Sequence, residues 1–348
     1  LYVEMLKAGY TAVGEFHYLH HAPDGAPYDD PAEMSHRIAA AADRSGIGLT
    51  LLPVLYAQGG FDGAPTEEGQ RRYVCDLDTY SRIVETVYAQ GDANSAGVAP
   101  HSLRAVGPDA LQIAIELAGE HPVHIHIAEQ TREVEECLAW SGARPVEWLL
   151  QNAEVDGRWC FVHATHMTAA ETRALAESGA VAGLCPMTEA DLGDGIFPAE
   201  AFITAKGRIG IGSDSNVVVD GAEELRLLEF GQRLIHRKRN LLRLPGRAST
   251  GANLFELAVH GGAGAIGREA SGITVGSSAD FIVLDGAAPL LAEKSGDDVL
   301  DTFIFSGGRS LIRDVFVGGR AVVTEGRHEA EAEISKDFSR VMKRLMSE

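Results

Sequence analysis

The chain has 348 residues, 45% of them apolar and 23% charged, with a formal net charge of −20. That length fits one large barrel with a small appendage, and the composition is that of a soluble globular protein. The acidic balance argues against DNA or RNA as a partner, since phosphate binding needs basic patches, and no apolar run approaches the ~20 residues of a membrane helix.

Residues 1–9 read as the end of a helix closed by Gly9. Tyr10 to His17 is the first strand, followed by a polar loop punctuated by glycine and proline. A helix over 31–45 leads to a second apolar strand, Gly48 to Tyr56. A long loop over 57–67 precedes a helix around 76–90, and Gly97 to Ser102 forms a third strand that carries His101. Helix 108–119, strand 122–128, helix 131–152, strand Trp159 to Ala164, helix 168–178, strand Val181 to Cys185 and strand Arg208 to Ser213 follow in turn. Beyond Asp214 the pattern changes. Helices over 221–240 and 250–267 give way to short strands at Ile273–Val275, Ala279–Asp285, Thr302–Phe305 and Val315–Val323, then to a charged helix over 329–347.

Apolar strands alternating with helices indicate parallel α/β architecture with strands buried on both faces. Polar residues gather at the strands' carboxyl ends: His17, His101, His126, His163 and Asp214. A (β/α)₈ TIM barrel places its chemistry at that end of every strand. No glycine-rich phosphate turn follows the first strand, so a dinucleotide-binding sheet is the poorer reading. Seven of eight barrel strands are visible, and the chain starts at Leu1 rather than methionine, so the remaining strand is expected upstream of Leu1. The expected organisation is a barrel over 1–268, a small antiparallel β-sandwich over 269–328 and a helix over 329–348. Cys75, Cys137, Cys160 and Cys185 lack CxxC spacing, as expected of reduced thiols in a cytoplasmic protein.

The most informative stretch is Val123-His-Ile-His-Ile-Ala-Glu129. Strand alternation puts His124 and His126 on one face and Ile125 and Ile127 on the other, with Glu129 just past the end. A strand-end histidine with a carboxylate three residues on suits a metal ligand beside a proton carrier. Plainer readings exist for each residue: His163 as a satisfied core histidine, Asp214 as a cap or turn former, and Glu129 as a first-turn acid favoured by the helix dipole. The placement of His126, Glu129, His163 and Asp214 at strand ends of one barrel is what favours the catalytic reading.

His126-Ile-Ala-Glu129, His163 closing the next strand and Gly212-Ser-Asp214-Ser together resemble the deaminases of the amidohydrolase superfamily. Gly276-Ser-Ser-Ala-Asp-Phe-Ile-Val-Leu-Asp and Val315-Phe-Val-Gly-Gly-Arg resemble that superfamily's small β domain. Gly14-Glu-Phe-His-Tyr-Leu-His-His, Ala99-Pro-His-Ser-Leu-Arg104, Val162-His-Ala-Thr-His166 and Thr188-Glu-Ala-Asp-Leu-Gly-Asp-Gly-Ile-Phe-Pro198 narrow it to the formimidoylglutamate deiminases of histidine degradation. The family's first-strand His-x-His has no counterpart before Tyr10, so two of four protein metal ligands, His126 and Asp214, are expected in these residues.

The resemblance implies hydrolysis of N-formimidoyl-L-glutamate to N-formyl-L-glutamate and ammonia by a metal-activated water. It implies one divalent ion, with zinc expected from a mixed His/carboxylate set and iron or manganese as alternatives. Glu129 is then the proton carrier, His163 the hydrogen-bond partner of the attacking water, and Asp214 both ligand and acceptor of the water proton. Arg104 is expected on a substrate carboxylate, with Tyr18 and His101 adding hydrogen bonds and Glu189 accepting from a substrate nitrogen. Arg104 as a surface residue and Glu189 as a solvated loop acid are the competing readings. The partners implied are a small-molecule substrate and, by analogy, a second copy in a homodimer. The alternatives are another aminohydrolase, acting on a heterocycle or guanidine-like group, and an inactive binding protein of the same fold. No Gly-x-Ser-x-Gly elbow supports a serine hydrolase.

Overall fold

The computed structural model describes residues 1–90, 96–270 and 272–347. The chain opens with α1 (Tyr2–Lys7) and then alternates β1 (Ala12–His17), α2 (Glu33–Ser45), β2 (Gly48–Leu55), α3 (Leu77–Gln90), β3 (Ala99–Pro100), α4 (Pro108–Ala118) and β4 (Val123–Ile127). Two helices, α5 (Thr131–Ser141) and α6 (Pro145–Asn152), precede β5 (Trp159–His163). Then come α7 (Ala169–Ser178), β6 (Val181–Leu184), α8 (Pro186–Leu192), α9 (Ala199–Thr204), β7 (Arg208–Ile211), α10 (Gly221–His236) and α11 (Thr250–Ala265).

These seven strands are parallel and follow chain order, β1-β2-β3 in one ladder and β4-β5-β6-β7 in another. The Val98–Val123 bridge joins the two, reinforced by His124 N–H donating to Val98 O at 3.0 Å and His126 N–H to His101 O at 2.9 Å. α11 occupies the interval between β7 and β1. Its Gly261 lies directly on the backbone of Ile209, so close that any Cβ there would collide. Its far end reaches β4 and β2: His124 Nε2 meets Ala265 O at 2.7 Å, and Thr50 Oγ1 donates to Ile266 O at 2.9 Å. His124 is thus a satisfied core histidine, while Ile125 and Ile127 are fully buried on the opposite face. Trp159 and Phe161 of β5, also fully buried, lie 6.1 Å apart; register places Phe161 beside Ile125.

The antiparallel part is β8 (Phe281–Leu284), β9 (Ile312–Val317), β10 (Arg320–Thr324) and β11 (Arg327–His328). They form one sheet in the order β11-β10-β9-β8, and α1 packs on β9, β10 and β11 in place of a second layer of strands. Gly318 and Gly319, at φ 57° and 80°, make the β9–β10 turn, a backbone region that glycine enters without penalty. A final helix, α13 (Glu331–Leu345), is tied to the body by Lys7–Glu331 at 2.6 Å and Arg44–Glu333 at 2.8 Å.

Three sequence expectations are corrected. Ile273–Val275 is not a strand; both end residues are fully or nearly fully exposed. Thr302–Phe305 is helical: α12 (Asp297–Thr302) runs on into a wide turn over Phe303–Gly307. Four residues cannot separate the two periodicities, and the helix wins because it buries Phe303 and Ile304 together. The expected helix over 131–152 breaks at Gly142, which takes φ 77°, and restarts with Pro145 at the first position of α6. No helix among the described residues is long and apolar enough to cross a membrane.

Replacing Phe161 with alanine is expected to remove about 3–5 kcal/mol of stability, because a fully buried ring leaves a cavity that its packed neighbours cannot refill. A thermal unfolding midpoint within a degree of the parent's would contradict that placement.

Candidate active site

Four rings, from the ends of β1, β3, β4 and β5, line one mouth of the parallel sheet. Phe16 of β1 lies 4.4 Å from His126, His101 lies 4.9 Å from it, and His163 stacks on it at 5.4 Å. The Nδ1 edge of His126 faces His101 O at 3.1 Å, which directs Nε2 into the mouth. Burial pushes its pKa down to about 3, so the ring stays neutral and keeps a lone pair to offer.

His163 sits at the centre, 1% exposed. Its register partner is Ile127, so plain alternation would send it outward with Trp159 and Phe161. A φ of 68° reverses that and turns the ring inward against His126. Ala128, Ala164 and Asp214 also take positive φ, at 49°, 47° and 42°. Such left-handed residues cost of order 1–3 kcal/mol each and cluster where strand ends must re-aim side chains. Glu133 of α5 secures one of these turns: its two carboxylate oxygens accept the N–H groups of Ala128 and Glu129, both at 2.9 Å.

Around His163 stand three carboxylates. Glu129 Oε1 lies 3.7 Å from Nε2, Asp214 Oδ2 lies 3.6 Å from the same atom, and Glu189 Oε1 faces Nδ1 at 3.2 Å. Burial disfavours charge on the imidazole, but Glu189, Glu129 and Asp214 outweigh it and hold the pKa above the ordinary value. Burial raises the carboxyls of Glu129 and Asp214 in turn, against the pull of His163. Glu129 and Asp214 remain partly exposed, at 20% and 33% of their side chains, so they face the open side.

Glu189 was expected on a substrate nitrogen or, alternatively, as a solvated loop acid; the structure excludes the solvated reading and sets the residue behind His163. The residue is 3% exposed, and the oxygen that meets His163 also accepts from Cys185 N–H at 2.9 Å. Pro186 opens α8 directly after β6, which folds Glu189 back onto the strand end instead of into the loop. Glu189 thereby engages His163 Nδ1, while Nε2 faces Glu129 and Asp214.

Tyr18, His101 and Arg104 come together on one wall. Tyr18 and His101 rings are 5.5 Å apart, and burial together with the charges of Asp214 and Glu129 raises the phenol of Tyr18. Arg104 Nη1 donates to Tyr56 Oη at 3.4 Å, and Gln70 Nε2 donates to the same oxygen at 3.0 Å. Tyr56 went unremarked in the sequence, although it follows β2 as His101 follows β3, and the strand-end rule would have found it. Glu133 carries no comparable signal. His20 and His21 are occupied with backbone carbonyls of Val54 and Val74, and His166 with Asp194 O.

For a cation, His163, Cys185 and Asp214 each offer a donor atom within 4.8 Å of the others, and His126 brings a neutral imidazole to the same mouth. This mixture of nitrogen, oxygen and sulfur donors fits a divalent ion of the zinc type.

Two outcomes test this geometry. Glu189→Gln keeps the shape but offers His163 no charged partner, so turnover is expected to fall about 10- to 100-fold, the usual loss when a partner behind a functional histidine goes. The drop should appear in kcat with KM little changed. Glu133 gives a pH signature. Burial lifts its carboxyl to about 7 despite the two N–H donors, above the ordinary 4.5. A raised folded-state pKa contributes stability that is present at pH below 4.5 and lost as pH rises through about 7. The unfolding midpoint of the parent, compared with Glu133→Gln, is therefore expected to fall across that window; a constant difference would contradict it.

The amidohydrolase family profile matches residues 2–322. The chain is 53% identical over 351 aligned positions to the formimidoylglutamate deiminase of Pseudomonas aeruginosa, covering 99% of this chain and 77% of that protein. Among solved structures, an amidohydrolase from Brucella melitensis superposes with a TM-score of 0.95 at 51% identity, covering 99% of this chain and 77% of that one. An adenosine deaminase from Xanthomonas campestris with bound zinc shares the fold, with a TM-score of 0.78 at 24% identity over 99% of this chain and 74% of its own. Parallel strands with acids and imidazoles at their carboxyl ends, matched along nearly the whole length, place this chain in the amidohydrolase family.

Proposed function

We propose that the protein is a formimidoylglutamate deiminase, which hydrolyses N-formimidoyl-L-glutamate to N-formyl-L-glutamate and ammonia. The observation that carries it is the convergence of Glu129 and Asp214 on one nitrogen of His163, at 3.7 and 3.6 Å, in a chain 53% identical to such an enzyme. The ion is proposed to be zinc, held by His126 and Asp214.

When bound, the divalent ion supplies the Lewis acidity that brings the pKa of water near neutrality, to roughly 7. The side chains do the rest. Asp214 accepts a proton from the attacking water at its free oxygen. Water adds to the formimidoyl carbon, and the carbon–nitrogen double bond becomes single. His163 Nε2, fixed from behind by Glu189, hydrogen-bonds the oxygen that arrives. Glu129, its carboxyl raised by burial, holds a proton and gives it to the imino nitrogen as water adds, making that nitrogen an amine. Its carboxylate then takes the proton of the new hydroxyl and passes it to the same nitrogen, which leaves as ammonia while the oxygen becomes a carbonyl, and the proton held by Asp214 returns to Glu129 for the next cycle. Collapse of the tetrahedral carbon leaves the formyl group on the glutamate nitrogen.

The product's two carboxylates stay unchanged throughout, so they serve as handles. Arg104, braced by Tyr56, is proposed to meet one of them as a bidentate partner, with Tyr18 and His101 beside it. The reaction is proposed to run in the cytoplasm, in keeping with four buried cysteines that all remain free.

Ammonia release from the purified protein is expected with N-formimidoyl-L-glutamate and not with guanine, cytosine or N-guanidino-glutamate. Glu129→Gln is expected to lower kcat by about 10²–10⁴-fold, the range of general acid–base help. Arg104→Met is expected to raise KM chiefly. Turnover of a heterocycle in preference to the amidine would overturn the assignment.

A further inference from the structure

Thr188 lies one residue before Glu189, and its hydroxyl reaches the turn that carries Asp214. A threonine inside a helix ordinarily turns its hydroxyl to a carbonyl three or four residues back. Thr188, in the first turn of α8, does not. Leu184 O, four residues back, accepts Gly212 N–H at 2.9 Å, and the Thr188 hydroxyl leaves its own helix for the segment after β7. It donates to Ser213 O at 3.3 Å and accepts Ser215 N–H at 3.2 Å. Its one proton is thereby spent, so Ser215 Oγ is the donor in a third contact, at 2.9 Å. One bond given and two accepted is the full capacity of a hydroxyl, and all of it goes to the two residues flanking Asp214. Thr188 is 1% exposed, which limits competition from water.

The Asp214 turn needs such a tie. Asp214 and Asn216 both take positive φ, at 42° and 58°, a conformation that persists where the surroundings impose it. Within the turn, Asn216 N–H donates to Ser213 O and Ser213 Oγ–H to Asn216 Oδ1, each at 2.8 Å. Thr188 adds a link to another element, and that element is itself fixed: Glu224 of α10, fully buried, accepts Met187 N–H at 2.8 Å. Glu189, next in the chain, meets His163 Nδ1 at 3.2 Å. Adjacent residues of α8 therefore grip the imidazole and the Asp214 turn. We propose that Thr188 is a positioning residue: through Ser213 and Ser215 it sets the Asp214 carboxylate against His163 Nε2, where the two stand 3.6 Å apart. What that placement does for turnover rests on the function proposed above; the tie itself stands on the hydrogen bonds.

The test compares Thr188→Val, which keeps the branched shape and loses the hydroxyl, with Thr188→Ser, which keeps the hydroxyl. Thr172→Val on α7 is the control, since Thr172 is 2% exposed and gives its hydroxyl to Thr168 O at 2.9 Å. Ammonia release gives kcat and KM, amide hydrogen exchange reports Ser215 N–H, and thermal unfolding reports stability. Thr188→Val is expected to lower kcat about 10- to 100-fold, the usual loss when a residue behind a functional group goes. KM should change little, and Ser215 N–H should exchange faster. Thr188→Ser is expected to restore both kcat and slow exchange. Thr172→Val is expected to lower the unfolding midpoint and leave kcat and Ser215 exchange at the parent's values. Unchanged kcat in Thr188→Val, a loss confined to the midpoint or to KM, or no recovery in Thr188→Ser overturns the proposal. Should Thr188→Val not fold, Ser215→Ala decides: it removes one of the three contacts from an exposed position, and a kcat equal to the parent's overturns the proposal. If the parent itself releases no ammonia from the amidine, the function falls and Ser215 exchange alone decides the tie. Parent turnover with an indifferent Thr188→Val sinks the tie and leaves the function standing.

Discussion

A nearly fully buried imidazole hemmed by three carboxylates is the constraint on which this structure depends. His163 has lost its water, and an isolated charge there would cost several kilocalories per mole. Glu189 behind the ring and Glu129 and Asp214 before it supply the compensating field. The arrangement is asymmetric. Glu189 is buried and also anchored to Cys185 N–H, so it cannot follow the ring, whereas the two acids in front are partly open to the mouth. One nitrogen is therefore fixed, and the other is presented to whatever enters.

That presentation needs backbone the alternating strand does not provide. Left-handed residues at Ala128, His163, Ala164 and Asp214 sit where strands end and chemistry begins. The surrounding hydrogen bonds hold them in place. Ala164 N–H reaches Ile127 O, His166 N–H reaches Ala128 O, and Glu133 ties down the Ala128–Glu129 turn from the first turn of α5. Rigid strands beneath and strained turns above divide the labour: the packed core absorbs the cost, and the turns aim the side chains.

The ladder beneath is held by close packing as much as by pairing. α11 lies in the interval between β7 and β1 because Gly261 of the helix and Gly210 of the strand let the two backbones approach. His124 spends its imidazole on Ala265 O in that seam, whereas its neighbour two residues on faces the mouth. Two histidines on one strand face thus do different work according to depth. The pattern His-x-His does not reveal which is which.

The alternation of apolar strands with helices and the gathering of polar residues at strand ends were legible from residue order, because period and punctuation are local properties of a chain; His126, Glu129, His163 and Asp214, singled out on that basis, lie together at one mouth. The same local reading failed at Thr302–Phe305, where few residues admit both periods, and it could not show that Glu189 meets His163, 26 positions away. By itself the sequence determined the architecture and which side chains stand near its mouth. Only the tertiary structure decided where each one points, since the inward turn of His163 hangs on a single dihedral and its charge on acids from three other segments.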